Sequence, residues 1–486
     1  MSRKNVVNRN NMLLLLVLLL CLLLSTSCKT ATAPETYSVT GTVFSDIDTG
    51  IEGVTVLIYN LIPLNESVSE LSESYPNHGA DLDLYNGFDH RTNSPIAVCT
   101  TASNGTFNLS GIAKGIYNLV AFKEGFGFTY LLNFSVSGNS SGVQLALAPV
   151  VSLQSPISED LTLESNRIYS VASDLILLPG NNITVGSNSV LIISPGVNLD
   201  LYGKLVTSED SSLKIMSSDL LYSYSNPQDQ IKRFSHLSFK NQSNSMIQNV
   251  IVINSNLGIQ FIGTQNFTLK NSFVKALYYA VDVTGSDNFT LNKCSITGST
   301  DIGRGAAYFE NDSNIVVERC HFYDNKIGIY IAECPNASVK NNSFDSNGVR
   351  DMSLFEGSVA VVEFNTFRGS QIAIYNYRGQ VNANYNDIQA VIGIHSLRVN
   401  AWFSAKFNNL NCSQYGIKSQ CMFYNSSIIH LDGTRNYWNT TDISAIEQLV
   451  WDRDNESEDD ENYSLLKSIV DFQPISITPN TAGIFN

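Results

Sequence analysis

Asn271-Ser-Phe273, Cys294-Ser-Ile296, Cys320-His-Phe322, Asn342-Ser-Phe344, Asn365-Thr-Phe367, Asn386-Asp-Ile388 and Asn408-Asn-Leu410 are one triplet met seven times. Successive heads are 23, 26, 22, 23, 21 and 22 residues apart. A second anchor keeps pace with it: Gly258-Ile259, Ala280-Val281, Gly328-Ile329, Ala373-Ile374, Gly393-Ile394 and Gly416-Ile417. A repeat of about 20 to 30 residues marks a solenoid, whose single unit cannot bury its apolar face without neighbours.

The content of each unit selects the kind of solenoid. The apolar runs are short and rich in Val, Ile, Phe and Tyr, and none shows a helical stripe of about ten residues or more. Asn, Gly, Ser and Asp fill the gaps, as tight turns require. These features predict a parallel β-helix, with equal positions of successive coils stacked about 4.8 Å apart. The triplet heads Asn271, Cys294, Cys320, Asn342, Asn365, Asn386 and Asn408 are then expected to form an inward ladder, their amides bonded along the axis. Cys294 and Cys320 read as a buried thiol stack, because in-register parallel strands give poor disulfide geometry. Roughly thirteen coils would make a rod about 60 Å long.

Both ends carry a family resemblance. The run Asn182-Ile-Thr-Val185, Leu191-Ile-Ile-Ser-Pro-Gly196-Val-Asn-Leu199 and Gly203-Lys-Leu205 resembles the first coils of pectate-lyase-like β-helix proteins. Asn436-Tyr-Trp438, Ile446, Trp451-Asp452 and Val470-Asp471-Phe472-Gln-Pro474 resemble that superfamily's closing segment, with Asn439 where Gly is usual. The resemblance spans residues 155–478 and implies a right-handed parallel β-helix of about 22-residue coils in an all-β chain. It says little of activity, because one fold hosts many functions.

The residues before the repeat alternate with period two. Tyr37 to Val43, Gly53 to Ile58, Thr106 to Leu109 and Gly115 to Phe122, punctuated by Asn104-Gly105, predict a small antiparallel β-sandwich. Gly41-Thr-Val43, Gly53-Val54-Thr-Val56, Thr101 to Phe107, Gly115-Ile-Tyr117-Asn-Leu119 and Gly125-Phe126 resemble the carboxypeptidase regulatory-like domain, a transthyretin-like sandwich used as a spacer or binding unit. A polar insert, Pro63 to Pro95, departs from that pattern and carries Asp81, Asp83 and Asp89. Loops of this length are functional or disordered.

Arg3, Lys4 and Arg9 precede the apolar run Met12–Leu24, which is shorter than the ~20 residues that span a bilayer and suits a signal peptide. Ser25-Thr26-Ser27-Cys28 resembles the bacterial lipobox, with Ser25 where Leu is usual. The resemblance implies diacylation of Cys28 and a membrane anchor through the N-terminal lipid; an ordinary cleaved secretory signal is the alternative. Lys29 in place of Asp favours the outer membrane or cell surface. The expected organisation is leader 1–27, linker 28–36, sandwich 37–148 and β-helix with its cap 149–480.

Losing the leader removes three cations and no acid, so the formal charge goes from −15 to −18. That disfavours nucleic acid as a partner, since a basic surface is needed. Cys99, Cys294, Cys320, Cys334, Cys412 and Cys421 include no C-x-x-C pair, and Cys412 with Cys421 is the nearest candidate for a disulfide.

Four functions compete. Asp324, Asp345 and Arg368, just past their triplets, would line one turn as acids and bases of a polysaccharide lyase or glycoside hydrolase, with Asp301, Arg304, Arg350 and Asp351 nearby. Solvated turn residues explain the same pattern. Resemblance to NosD-like relatives implies periplasmic copper handling, but the six His lie far apart and Cys412, Cys421 and Met422 are the one near group of soft ligands. Asp452, Asp454 and Glu456 head an acidic run continuing to Glu461 and are candidates for Ca2+. A solvated acidic loop is the alternative there, and no cofactor is otherwise expected. The fourth reading fits the most features: a cell-envelope lipoprotein presenting its β-helix for binding or adhesion, to polysaccharide or an envelope protein, without catalysis. The abundant N-x-S/T triplets are read as products of Asn- and Ser-rich turns.

Overall fold

A computed structural model describes residues 35–45, 49–81, 88–218, 232–423, 427–456 and 465–485. The leader and Cys28 therefore lie outside the described residues, as do Asp83 and the acids Glu458 to Glu461. Two compact units are formed. One comprises residues up to Leu61 with Pro95–Ala121 and Thr129–Ala146; the other comprises Ile62–Ser94, Phe122–Phe128 and Leu147–Asn486.

The first unit is built from a three-stranded sheet (Thr106–Ala113, Thr36–Phe44, Ser140–Ala146) and a four-stranded sheet (Ala97–Thr100, Thr55–Asn60, Gly115–Lys123, Gly127–Val136). Val39, Val43, Val56, Ile58, Leu109 and Leu119 alternate inward and are fully or almost fully buried. Thr36–Phe44 pairs antiparallel with Thr106–Ala113 but parallel with Ser140–Ala146. Gly105 has φ +79°, and a Cβ there would stand 2.3 Å from the Val43 carbonyl oxygen, so the Asn104-Gly105 turn tolerates no side chain.

The second unit is a parallel β-solenoid. Its first sheet has twelve strands, from Val151–Ser152 to Asn409–Leu410. Its second also has twelve, from Leu175–Leu177 to Val450–Trp451. The third face is a three-stranded sheet followed by a ten-stranded one ending at Ser468–Asp471. Every neighbouring pair of strands within these sheets is parallel and one coil apart, as in Phe322↔Phe344↔Phe367. Those three rings stack at 5.0 and 4.8 Å with planes 11° and 12° apart. Each such pair adds about 0.5–1.5 kcal/mol beyond its buried area.

Polar ladders run up the inside of the corners. Asn342, Asn365, Asn386 and Asn408 each donate from the backbone N–H and from Nδ2 to Oδ1 of the next Asn, at 2.8–3.0 Å. The ladder reaches Asn436, which sequence reasoning left in the closing segment. Cys320 N–H bonds Oδ1 of Asn342, and Cys294 N–H bonds Sγ of Cys320. The six cysteines among the described residues are free thiols, Cys412 and Cys421, the nearest candidates for a disulfide, included.

Asn271 corrects the expected ladder. Phe273 pairs with Ser295, so Ser272 holds the inward slot and Asn271 stands one residue before it. There its φ is +41°, in a corner column of left-handed residues continued by Lys293, Arg319, Asn341, Phe364, Tyr385 and Phe407. Asn tolerates that conformation, and the three aromatics stack face to face at 5.0 Å. The second anchor gains two members unseen in the sequence, Ala306-Ala307 and Asp351-Met352. Helix Ile443–Leu449, with Ile446 and Trp438 buried, closes the far end.

Candidate functional site

The proposed acid–base residues do not converge. Asp345 and Arg368 are register partners, but Tyr323, not Asp324, is the partner of Asp345. Asp324 lies one residue further, at a corner with φ +53°, which corrects the expected single line. Its carboxylate accepts from Nδ2 of Asn65 at 2.8 Å; burial, then Asp345, pushes its pKa up. Arg368 turns to Asp387 at 2.9 Å, and Asp345 accepts from Ser346. Asp301 caps its own loop by accepting from the N–H of Gly303 and of Arg304. Asp351 is fully buried, accepts from Asn347 and Ser370, and is pushed up to about 8 by burial.

The outer face of the first sheet is covered by the chain itself. Residues 62–81 and 88–94 include a helix, Glu66–Ser74, N-capped by Asn65, and run across the coils. Ser67 Oγ meets Nε2 of His321 at 2.9 Å, and Gly79 N–H bonds the Arg319 carbonyl at 2.8 Å. Ala80 N–H bonds Ser295 Oγ, and Asp81 exchanges two 2.8 Å bonds with Asn271 and pairs with Lys293. Arg91, paired with Asp89, donates to the carbonyls of Ser217 and Ser218. The tail returns along the same side: Asn480 bonds Asn409, Gly483 bonds Tyr385, Ile484 bonds Thr366 and Phe485 bonds Asn341.

The outer face of the second sheet has a different character. One column runs Asp282, Tyr308, Tyr330, Ser353, Tyr375, His395, Lys418, Trp451 in register. Ring centroids follow one another at 6.4 Å (Tyr279–Tyr308), 5.1 Å (Tyr308–Tyr330), 4.5 Å (Tyr330–Phe355) and 5.5 Å (Phe355–Tyr377). Arg304 lies over Tyr308 at 4.7 Å and over Tyr279 at 5.5 Å. The Arg350 guanidinium lies 3.6 Å from the Tyr375 centroid, and Lys418 sits over Tyr415 and Trp451. The rings stack along the axis; Tyr308 is buried, while Tyr279, Tyr330, Tyr375 and Tyr377 are half-buried and Arg304 is exposed.

Electrostatics divide this lane in two. At one end burial raises the pKa of Asp282, and burial with the neighbouring Glu310 raises the Tyr308 phenol far above its usual range. At the other, burial lowers the pKa of His395, and Lys418 and Arg350 lower it further although Gln420 bonds its Nε2. Arg350 and Lys418 thus form a basic stretch beside His395, on a chain of formal charge −15. Sequence reasoning missed this lane. The signal was the residue after each Ile, Val or Ala of the second anchor, which points outward: Asp282, Tyr308, Tyr330, Tyr375, His395 and Lys418.

The calcium candidates Asp452 and Asp454 differ in exposure. Asp452 is buried, its Oδ1 takes the Asp454 N–H and its Oδ2 the Val470 N–H; Asp454 is two-thirds exposed. Among the described residues no group of three or more His, Cys, Asp or Glu is placed to hold a metal ion.

Fold and surface together define a parallel β-helix protein with one sheathed face and one ring-lined face. The family described as a right handed beta helix region matches residues 235–388, the coils that carry most of both faces. No curated protein matches the sequence. Among solved structures, full-length tailspike protein 2 (TSP2, ORF211) from Escherichia coli O157:H7 bacteriophage CAB120 is similar at 15% identity and a TM-score of 0.25. The similarity covers 48% of this chain and 38% of that one, so the chain spans little over a third of the tailspike's length.

Proposed function

We propose that this protein is an envelope lipoprotein that binds an extended polysaccharide along the outer face of its second sheet and does not cleave it. The observation that carries this reading is the lane of rings and guanidinium groups from Tyr279 to Trp451. Its side chains repeat at the strand spacing of about 4.8 Å, close to the advance of one sugar unit in an extended glycan. Amphipathic rings and planar donors are the groups that hold polyhydroxylated chains at low entropic cost. The coil-by-coil repetition extends the contact, so individually weak contacts accumulate. Acylation of Cys28 would hold this surface at the membrane.

Affinity electrophoresis of the full chain in gels cast with neutral and acidic polysaccharides tests the reading. Retardation is expected, and Tyr330→Ala and Arg350→Ala should each reduce it. A reducing-sugar and unsaturated-product assay runs beside it. Turnover would replace the binding reading with a lyase or hydrolase. Fatty-acid labelling of the wild type against Cys28→Ala tests the anchor.

A further inference from the structure

We propose that residues 62–81 and 88–94 form an acid-releasable strap, which lets go of the first sheet on mild acidification while the coils beneath stay folded. Its seat is built around three of the chain's six histidines, all buried: His78 and His90 in the strap and His321 on the sheet. His321 faces Ser67, stacks on Tyr323 at 4.6 Å and has His78 as a charged neighbour when both are protonated. His78 in turn faces Tyr75, Asn341 and Arg319. His90 lies between the rings of Phe122 and Phe128, beside Asp89, Arg91 and Lys214. A proton placed on His321 or His78 therefore enters a dry seat that already holds another imidazole and a guanidinium.

Burial lowers all three, His90 to about 4 and His321 to about 3. Once the strap is released and water reaches all three, they return to about 6.5. Seating is thus fully favoured above that value and weakens as pH falls through the range between the released and seated values. The other charges on the seat act differently. Asp324, raised by burial and bonded to Asn65, gains its proton more readily when seated and opposes release in acid. Asp89, held low by Arg91 despite its burial, adds to release only below the usual carboxylate range. Asp81 pairs with Lys293. The histidines therefore govern the interval between about pH 6.5 and 4.5. At pH 5 each that stays neutral when seated shifts the equilibrium about thirty-fold toward release, so His90 and His321 together give about a thousand-fold.

Hydrogen exchange of the full chain at pH 7.5 and 5.0, corrected for intrinsic rates, reads this directly. The reporters are the amides of Gly79, Ala80 and Asp81, which bond Arg319, Ser295 and Asn271. The reference is strand Ile327–Ala332 of the second sheet. The strap amides should lose protection by two to three orders of magnitude at pH 5.0 while the strand keeps its own. His321→Gln, whose amide can still meet Ser67, should shrink that loss about thirty-fold with neutral-pH protection retained. Unchanged strap protection at pH 5.0 overturns the proposal, as does equal loss in strap and strand, or an undiminished pH response in His321→Gln.

Discussion

Asn365 donates from Nδ2 to Oδ1 of Asn386 at 3.0 Å, and the same oxygen takes the Asn365 backbone N–H at 3.0 Å. Asn386 itself donates to the Val362 carbonyl and to Oδ1 of Asn408. One buried side chain thus ties its own coil to the coils on either side. Each bond closes donors and acceptors that water cannot reach.

Asn386→Ala leaves the Asn365 N–H without its acceptor and opens a small cavity. A loss of about 2–4 kcal/mol is expected in urea unfolding followed by circular dichroism. Asn386→Cys should lose less, because Cys294 and Cys320 already hold this slot and Cys320 Sγ accepts from a backbone N–H. Equal losses in the two variants would mean that packing volume, not bonding, governs the slot.

That ladder was legible because an inward corner demands the same chemistry once per coil. The misplacement of Asn271 has a physical origin in the same chemistry. Asn is favoured in the inward slot and also at the left-handed corner just before it, as the adjacent pair Asn341 and Asn342 shows. Periodicity alone cannot separate two neighbouring slots with one preference. The ring lane was hidden because an outward position accepts Ser353 as readily as Tyr375. The sheath was invisible for a different reason: Asn65 and Asp324 are 259 residues apart, and a single docking contact leaves no repeat to find.

Asp324→Ala tests which face matters. The Asn65 side chain caps helix Glu66–Ser74 by accepting from the Ser67 N–H, and Asp324 fixes its other end. Asp324 is only partly covered and stays open to solvent, so its removal should cost less than about 1 kcal/mol and barely move the melting temperature. Limited proteolysis within residues 63–75 should become a few times faster. Binding of polysaccharide along the second sheet should not change, and weakened binding in Asp324→Ala would return the site to the first sheet's edge.

Asp351 makes stability fall as pH rises. Burial pushes it up to about 8, while in the unfolded chain it titrates near its usual value of about 4. Between those values the folded chain holds a proton that the unfolded chain has lost, so the slope of stability against pH is negative. It reaches about 1.4 kcal/mol per pH unit for this one group. Asp351→Asn removes the titration and keeps one oxygen for Asn347 or Ser370. Urea midpoints at pH 5 and pH 8 should differ less in the variant, which should be the more stable protein at pH 8. A wild-type midpoint that rises from pH 5 to pH 8 as steeply as that of the variant would show that Asp351 is charged in the fold.

Arg350→Lys separates shape from charge on the second sheet. The guanidinium carbon lies 3.6 Å from the Tyr375 centroid, well within cation–π reach of the ring. Lysine keeps the charge but offers a hydrated point in place of a plane. If the plane positions a sugar, Arg350→Lys should bind about five-fold more weakly, the equivalent of about 1 kcal/mol. If only charge near His395 and Lys418 counts, Arg350→Lys should match the wild type, and Arg350→Ala alone should fail. Salt sharpens the distinction, because exposed charges are screened over about 10 Å at 0.1 M and stacking is not. A wild-type affinity for acidic glycan that falls between 0.05 and 0.5 M salt, with affinity for neutral glycan unchanged, would assign Arg350 and Lys418 to carboxylate recognition and the tyrosines to the sugar rings.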